Sequence, residues 1–149
     1  MPATADELRQ AKCQPSNYKI GRTLVFIDAP INVIPHVCVH VAVRRGRSWT
    51  SNAEDLKRRK DFRDEVALVI PRRKRQKLAG LLAVRIEVWR RCSRAADGDN
   101  LQKELFDAFT QAGVWLDDRQ VKDCHWTIVE QGPRVTPRVR AVVYEWIAA

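Results

Sequence analysis

The sequence predicts an α+β fold, in which about two main helices pack on a mixed or antiparallel β-sheet. Two observations support this class: several segments alternate apolar and polar residues with the period of a strand, and two others repeat apolar residues at helical spacing. The length of 149 residues suits one domain with one core. We therefore expect a single domain over residues 1–149, with residues 1–20 as a flexible N-terminal extension.

Strand patterns recur along the chain. Residues 23–28 form an apolar run that ends near a proline and are predicted to be a strand. In residues 37–43 every second residue is a valine, which places four valines on one face of a strand. The basic segment 44–47 has the character of a hairpin tip, from which residues 48–50 return as a partner strand. Further strands are predicted over residues 81–89, 121–129 and 138–147.

The first main helix is predicted over residues 53–70, and it is heavily basic on its outer side. Its apolar positions include Leu56 and Phe62, which recur at roughly helical spacing. Pro71 ends this helix because proline lacks the backbone N–H that a helix interior needs. A dense positive run follows at residues 72–77.

The second main helix is predicted to begin near Asn100. Leu101 and Leu105 lie on one helical face, and Gly113 stands where a C-terminal cap is expected. A capping pattern near the N-terminus also predicts a short helix over residues 5–12.

Composition indicates a polyanionic partner. The net charge is +9 and the pI about 9.9, so Lys and Arg side chains can neutralise phosphates and release condensed counterions. Nucleic acid is the expected partner, because neither a lipidation motif nor a long apolar span favours a membrane. The polar N-terminus lacks a secretory pattern, which predicts a cytoplasmic protein whose four cysteines are free thiols.

Acidic residues are concentrated between Asp97 and Asp118. Asp97 and Asp99 flank a glycine in a turn, and Asp117 and Asp118 follow the second helix. Carboxylate oxygens are the ligands that hard divalent cations prefer, so the segment is a candidate cation site. Lys103, four residues after Asp99, places a positive charge beside these acids. The second pair reaches the first only if the following strand pairs near the strand that ends at Trp89.

Ordinary structural chemistry competes with that interpretation. Asp99 is a good helix N-cap, Asp-Gly is common in turns, and Lys103 can pair with Asp107 one turn later. Each acidic pair by itself therefore favours a structural role. A zinc site has less support than the cation site. His36, Cys38 and His40 could ligate zinc, but we expect them to form the polar outer face of a strand.

The acidic segment resembles the RusA family of Holliday junction resolvases. The resemblance rests on the run of residues 97–103, on the Phe106–Phe109 stretch, and on residues 113–118 followed by Gln120 and Val121. It covers about 25 residues closely, and the order of strands and basic helix is compatible with the family over most of the chain. The sequence departs from the family in two places. Ala95 and Ala96 stand before the first aspartate and Gly98 between the two, where Arg94 substitutes for the lost charge, and the N-terminal loop at residues 30–35 only loosely resembles the family's Pro-Pro-Ser and Asn pattern.

The resemblance implies specific roles. Asp97, Asp99 and Asp118 are the implied metal-binding residues and Lys103 the essential lysine, with Asp117 a weaker member and Asp107 structural. The implied cofactor is Mg²⁺, with Mn²⁺ as a substitute. The implied protein is a homodimer, often carried by prophages, that acts on four-way DNA junctions in a bacterial or phage-infected cell.

These implications lead to a hypothesis of metal-dependent phosphodiester hydrolysis by paired symmetric nicks during DNA recombination and repair. Eight basic residues are expected to bind DNA, mostly through its backbone: Arg44, Arg45, Arg47, Arg72, Arg73, Lys74, Arg75 and Arg94. Two alternatives remain open. One is a noncatalytic basic DNA-binding protein, and the other is a metal-dependent nuclease for other branched DNA.

Overall fold

A computed structural model of the chain describes residues 17–34, 42–45, 48–51, 53–92 and 98–148. The main sheet has four strands in the order β1-β6-β4-β5, and a separate hairpin is formed by β2 and β3. The strands are β1 (Tyr18–Ala29), β2 (Ala42–Arg45), β3 (Ser48–Ser51), β4 (Leu82–Arg91), β5 (Val121–Gly132) and β6 (Arg138–Ala148). The helices are α1 (Ala53–Val69) and α2 (Gly98–Ala112), with short 3-10 turns at Arg72–Lys74 and Asp118–Gln120.

The sheet is mixed. β6 pairs antiparallel with both β1 and β4, whereas β4 and β5 pair parallel. Parallel neighbours need a crossover connection, and α2 provides it between β4 and β5. The mixed sheet with two helices confirms the predicted α+β class.

The core lies between the sheet and the two helices. Alternate β4 residues Leu82, Val84, Ile86 and Val88 are at most 2% exposed, which confirms the buried face that their spacing predicted. On α2, Leu101, Leu105, Ala108 and Phe109 are fully buried, as their helical spacing predicted. None of the described helices combines the length and apolar character that a membrane crossing needs.

The C-terminus of α2 is closed by the predicted glycine. Gly113 has a φ of +84°, a backbone conformation that side chains with a Cβ disfavour. The Gly113 N–H donates to the Thr110 carbonyl at 3.1 Å, and the Val114 N–H donates to the Phe109 carbonyl at 3.0 Å. These two bonds form a Schellman cap, after which Trp115 is buried against the helix.

Four sequence expectations are corrected by the fold. β1 begins at Tyr18, so residues 18–20 belong to the sheet through pairing with β6 and not to a flexible extension. α2 begins at Gly98, which places Asp99 inside the first helical turn and not at the N-cap. Leu56 is 49% exposed, because the buried positions Phe62, Val66 and Ile70 follow a four-residue spacing that Leu56 does not share. β5 continues to Gly132, beyond its predicted end.

The predicted hairpin is confirmed by its pairing. Arg45 pairs with Ser48 and Ala42 pairs with Ser51. Residues 37–41 of the predicted strand and the predicted helix 5–12 lie outside the described residues, as do His36, Cys38 and His40.

We expect Gly113→Ala to lower the free energy of unfolding by about 1–2 kcal/mol, because alanine disfavours a positive φ. Urea denaturation monitored by circular dichroism measures this change. Gly132→Ala is the matched control, since an added Cβ there meets its nearest atom at an ordinary 3.7 Å without a positive φ. Equal stability of the two variants would contradict the assignment of the cap.

Candidate functional site

The structure places the two acidic groups at opposite ends of β4. The parallel register pairs Leu82 with Val121 and Arg91 with Gly132. Asp118 comes just before Val121, whereas Asp99 follows the Arg91 end of β4 and opens α2. Thus β5 does pair with the strand that contains Trp89, but its parallel direction carries Asp118 to the far end.

The length of α2 indicates how far Asp99 lies from Asp118. Asp107, which acts electrostatically on Asp118, is about 12 Å of helix rise beyond Asp99 at the standard 1.5 Å per residue. Within one protomer, the described backbone therefore does not bring Asp99 and Asp118 together. Asp97 lies outside the described residues, and Asp99 is placed only by its backbone.

Asp118 lies in a concentration of negative charge. Burial raises the pKa of its carboxyl first, and the side-chain hydrogen bond with Asp117 and the negative charges of Asp107 and Asp117 raise this pKa further. Asp107, predicted to be structural, is thus close enough to act electrostatically on Asp118. A bound cation would relieve the part of this shift that comes from the neighbouring negative charges.

Asp117 has a structural task beside Asp118. Its Oδ1 accepts from the Arg119 backbone N–H at 2.8 Å, and its Oδ2 accepts from Arg119 Nη2 at 2.6 Å. These bonds hold the pKa of the Asp117 carboxyl well below its usual range. Asp117 caps the 3-10 turn, and this role competes with the weaker metal-binding role expected from the sequence.

Gln120 anchors the same turn to the chain that leads into β4. Its Oε1 accepts from the Asp117 N–H at 2.7 Å, and its Nε2 donates to the carbonyls of Leu78 at 2.9 Å and Gly80 at 2.8 Å. The amide therefore satisfies backbone groups on both segments. This arrangement holds Asp118 at the beginning of β4.

A buried ionic cluster joins α1 to α2. Glu104 is fully buried on α2, where its Oε2 accepts from Arg59 Nε at 3.2 Å and its Oε1 lies 3.3 Å from Arg63 Nε. Arg63 Nη2 also donates to Asp107 Oδ2 at 3.3 Å. Partners of opposite charge are what make a buried carboxylate tolerable. Arg63 thus connects the helix interface to the acid that acts on Asp118.

The burial of Glu104 was not predicted, although its position in the sequence indicates it. Helical spacing puts it three residues after Leu101 and four before Ala108, directly on the buried stripe of α2. An acid on such a stripe predicts a cation on the facing helix. Lys103, by contrast, is exposed on the outer side of α2, one turn after Asp99.

The predicted DNA-binding residues are distributed unevenly. Arg72 and Arg73 are exposed, whereas Arg75 Nε donates to the Ile70 carbonyl at 3.0 Å and so helps to close the end of α1. Lys74 is half-buried, Arg44 and Arg45 lie on β2, and Arg47 and Arg94 are outside the described residues.

A basic cleft that was not predicted from the sequence lies between α1 and the Arg91 end of β4. It has a volume of about 570 Å³, and its lining includes Lys57, Arg58 and Arg91 beside Asp61 and Glu65. The only sequence signal for it was the basic outer side of the first helix. These side chains place three positive and two negative charges at the Arg91 end of β4.

We expect Asp118→Asn to raise the free energy of unfolding at pH 7. A raised carboxyl pKa means that ionisation costs more in the folded chain than in the unfolded one, and asparagine removes that cost. The difference in the free energy of unfolding between Asp118→Asn and the wild type should decrease as the pH falls and the wild-type carboxyl becomes protonated. Urea denaturation between pH 4 and pH 8 measures it.

The neighbouring variant Asp117→Asn is the control, for which we expect the opposite change in the free energy of unfolding. The pKa of Asp117 is lowered by Arg119, so its charge stabilises the fold at neutral pH and asparagine should lower the free energy of unfolding. A loss of stability in Asp118→Asn at pH 7 would contradict the repulsive environment described for Asp118.

Comparison with known proteins identifies the family. The model of the family "Endodeoxyribonuclease RusA" matches residues 33–140, which include both aspartate pairs of the acidic segment and Lys103. Proteins named crossover junction endodeoxyribonuclease RusA from Escherichia coli K12 and from Enterobacteria phage 82 are each 48% identical over 63 residues, which cover 42% of this chain and 52% of each relative. A Shigella sonnei relative of that name is 54% identical over 46 residues, or 31% of this chain and 38% of its own. The chain spans about half the length of the curated relatives it matches, and the extent of the family match shows that it belongs to the RusA endodeoxyribonuclease family.

Proposed function

We propose that the chain is a Mg²⁺-dependent endonuclease that resolves four-way DNA junctions by paired symmetric nicks. The match to the RusA family across the acidic segment carries this proposal. The names of the relatives point to crossover junctions as the substrate. The protein would act in DNA recombination and repair in the cytoplasm of a bacterial or phage-infected cell.

The oxygen chemistry of the acids suits a divalent cation, although the described residues of one protomer contain no group of three or more His, Cys, Asp or Glu side chains that could hold a metal ion. Asp97, Asp99 and Asp118 would hold one or two Mg²⁺, and the crowding of Asp118 by Asp107 and Asp117 is the observation that favours a cation there. Mn²⁺ would substitute. When bound, Mg²⁺ would supply Lewis-acid chemistry, both for the activation of a water and for the charge on the leaving oxygen of the phosphodiester.

The basic side chains would stabilise the phosphate and bind the DNA. Lys103, exposed on α2, would neutralise the charge that develops on the phosphate. The basic cleft and the exposed residues Arg72 and Arg73 would hold the DNA backbone outside the reacting centre. Phosphoryl transfer depends mainly on positioning and electrostatics, so these groups suffice for the reaction.

The substrate favours a two-fold symmetric enzyme. A four-way junction must be cut on two opposed strands, and a homodimer presents two equivalent sites to them. One active subunit would leave resolution half complete.

The proposal predicts paired symmetric nicks on a mobile four-way junction in Mg²⁺, and none on a flap or a linear duplex. Asp99→Asn should reduce cleavage to background while junction binding persists, because it removes a ligand and a negative charge together. Labelled strands on denaturing gels report cutting, and gel shifts report binding. Asp64→Asn is the control, since Asp64 lies on α1 in an exposed pair with Lys60 and should leave cleavage unchanged.

Two outcomes would overturn the proposal in different ways. Junction binding that falls steeply with salt, without any product in Mg²⁺, would identify a noncatalytic DNA-binding protein. Equal cutting of flaps and junctions would identify a broader nuclease for branched DNA.

A further inference from the structure

A second pocket lies on the face of the main sheet opposite the helical core. It has a volume of about 630 Å³, within the range of about 300–1,000 Å³ that is typical of small-ligand pockets. Trp89 follows the fully buried Val88 on β4, and because successive strand residues face opposite sides of a sheet, its side chain lies on the outer face. This site, the Trp89 pocket, is completed by residues at the end of β1, on β5 and in the turn between β5 and β6.

Trp89 and Arg138 provide planar groups inside the pocket. Arg138 pairs with Trp89 across the strands, and its guanidinium carbon lies 5.1 Å from the centroid of the Trp89 ring. Asp28 fixes that guanidinium by accepting from Nε at 2.8 Å and from Nη2 at 2.5 Å. Trp89 is half-buried, so part of its side chain is open to a ligand. Aromatic rings and guanidinium planes are the groups on which proteins stack unpaired nucleobases.

The charges of the pocket favour a neutral ligand. Its formal charges cancel, because the lining contains two arginines and two acids: Arg134, Arg138, Asp28 and Glu130. A phosphate gains little from such a lining, whereas a nucleobase is uncharged and has hydrogen-bond donors and acceptors along its edge. The carboxylate of Glu130 and the hydroxyl of Thr136 are polar groups of the lining that match such an edge.

The Trp89 pocket adjoins the basic cleft. Both linings include Pro30 and Pro137, so the two sites are neighbours. The cleft has three basic residues and two acids, and its excess of positive charge suits a phosphate. Neighbouring sites of different chemistry thus match the two parts of one nucleotide, its base and its phosphate.

The walls of the pocket are held by hydrogen bonds to the end of β4. Arg91 Nε donates to the Val135 carbonyl at 3.0 Å, and the Arg91 backbone N–H donates to Asn32 Oδ1 at 2.9 Å. Arg90 Nε donates to the Val33 carbonyl at 2.9 Å. These bonds tie the chain after β1 and the turn after β5 to a single strand. A ligand therefore does not have to order these segments, which keeps the entropic cost of binding small.

We propose that the Trp89 pocket binds one unstacked base of a junction strand, which stacks on Trp89 and Arg138 while its phosphate lies in the basic cleft. This inference rests on the proposed function and adds to it a means of selecting branched DNA. Unstacking a base costs free energy, and the cost is lowest where pairing or stacking is already weakened, as at a branch point. A linear duplex would have to lose intact pairing and stacking, so the pocket favours a junction over a duplex.

Binding to two junctions tests whether Trp89 contacts a base. One four-way junction is intact and the other carries abasic nucleotides at the branch point, and Kd is measured by fluorescence anisotropy in EDTA, which removes divalent cations. We expect Trp89→Leu to raise the Kd for the intact junction by about tenfold, because leucine lacks the ring on which a base stacks. On the abasic junction, Trp89→Leu and the wild type should bind equally, since the base that contacts the ring is missing.

Trp146→Leu is the matched control. Trp146 lies near the opposite end of β6 from Arg138, where its ring stacks on Tyr18 with 6.1 Å between centroids, and this variant should bind both junctions as the wild type does. Equal Kd values of Trp89→Leu and the wild type on the intact junction, or an equal loss on both junctions, would overturn the inference. A wild-type protein that neither binds nor cuts the junction would overturn the proposed function instead.

Photocross-linking of the wild-type protein tests the same contact without a substitution. A junction that carries 5-iododeoxyuridine at the branch point is irradiated in the complex, and the cross-linked peptides are identified by mass spectrometry. We expect the adduct on the tryptic peptide of residues 86–90, in which Trp89 is the only aromatic residue. Adducts confined to other peptides would contradict the inference, even if Trp89→Leu fails to fold.

Discussion

The parallel pairing of β4 with β5 is the constraint on which the rest of the structure depends. It forces the chain to cross from one end of β4 to the other, and α2 makes that crossing with its apolar face on the core. The same crossing sets Asp99 at one end of the sheet and Asp118 at the other. The separation of the two acidic groups is thus a consequence of sheet topology, while the capped 3-10 turn fixes Asp118 at its own end of the sheet.

Buried charge links this topology to the acids. Glu104 occupies a core position on α2, where Arg59 and Arg63 of α1 compensate its charge. Because Arg63 also binds Asp107, the docking of α1 helps to set the electrostatic environment of Asp118. The repulsion of Asp118 by Asp107 and Asp117 opposes folding. Functional sites often retain such locally unfavourable interactions.

Basic side chains lie on two other parts of the described surface. The basic cleft lies between α1 and the Arg91 end of β4, and Arg72 and Arg73 lie in the short turn that follows α1. Because phosphate contacts position DNA without reading its sequence, these residues suit a partner chosen by shape. Under the proposed function, the acidic residues would bind a cation and the basic residues would bind the DNA backbone.

The sequence by itself determined the elements, their buried faces and the chemistry of the site residues. Period and capping are local properties, so β4, α2 and the cap at Gly113 could be predicted from neighbouring residues alone. The direction in which β5 pairs, the burial of Glu104 and the separation of Asp99 from Asp118 were decided only by the tertiary structure. The physical reason is that strand pairing and helix docking depend on contacts between residues distant in sequence, which no local periodicity encodes.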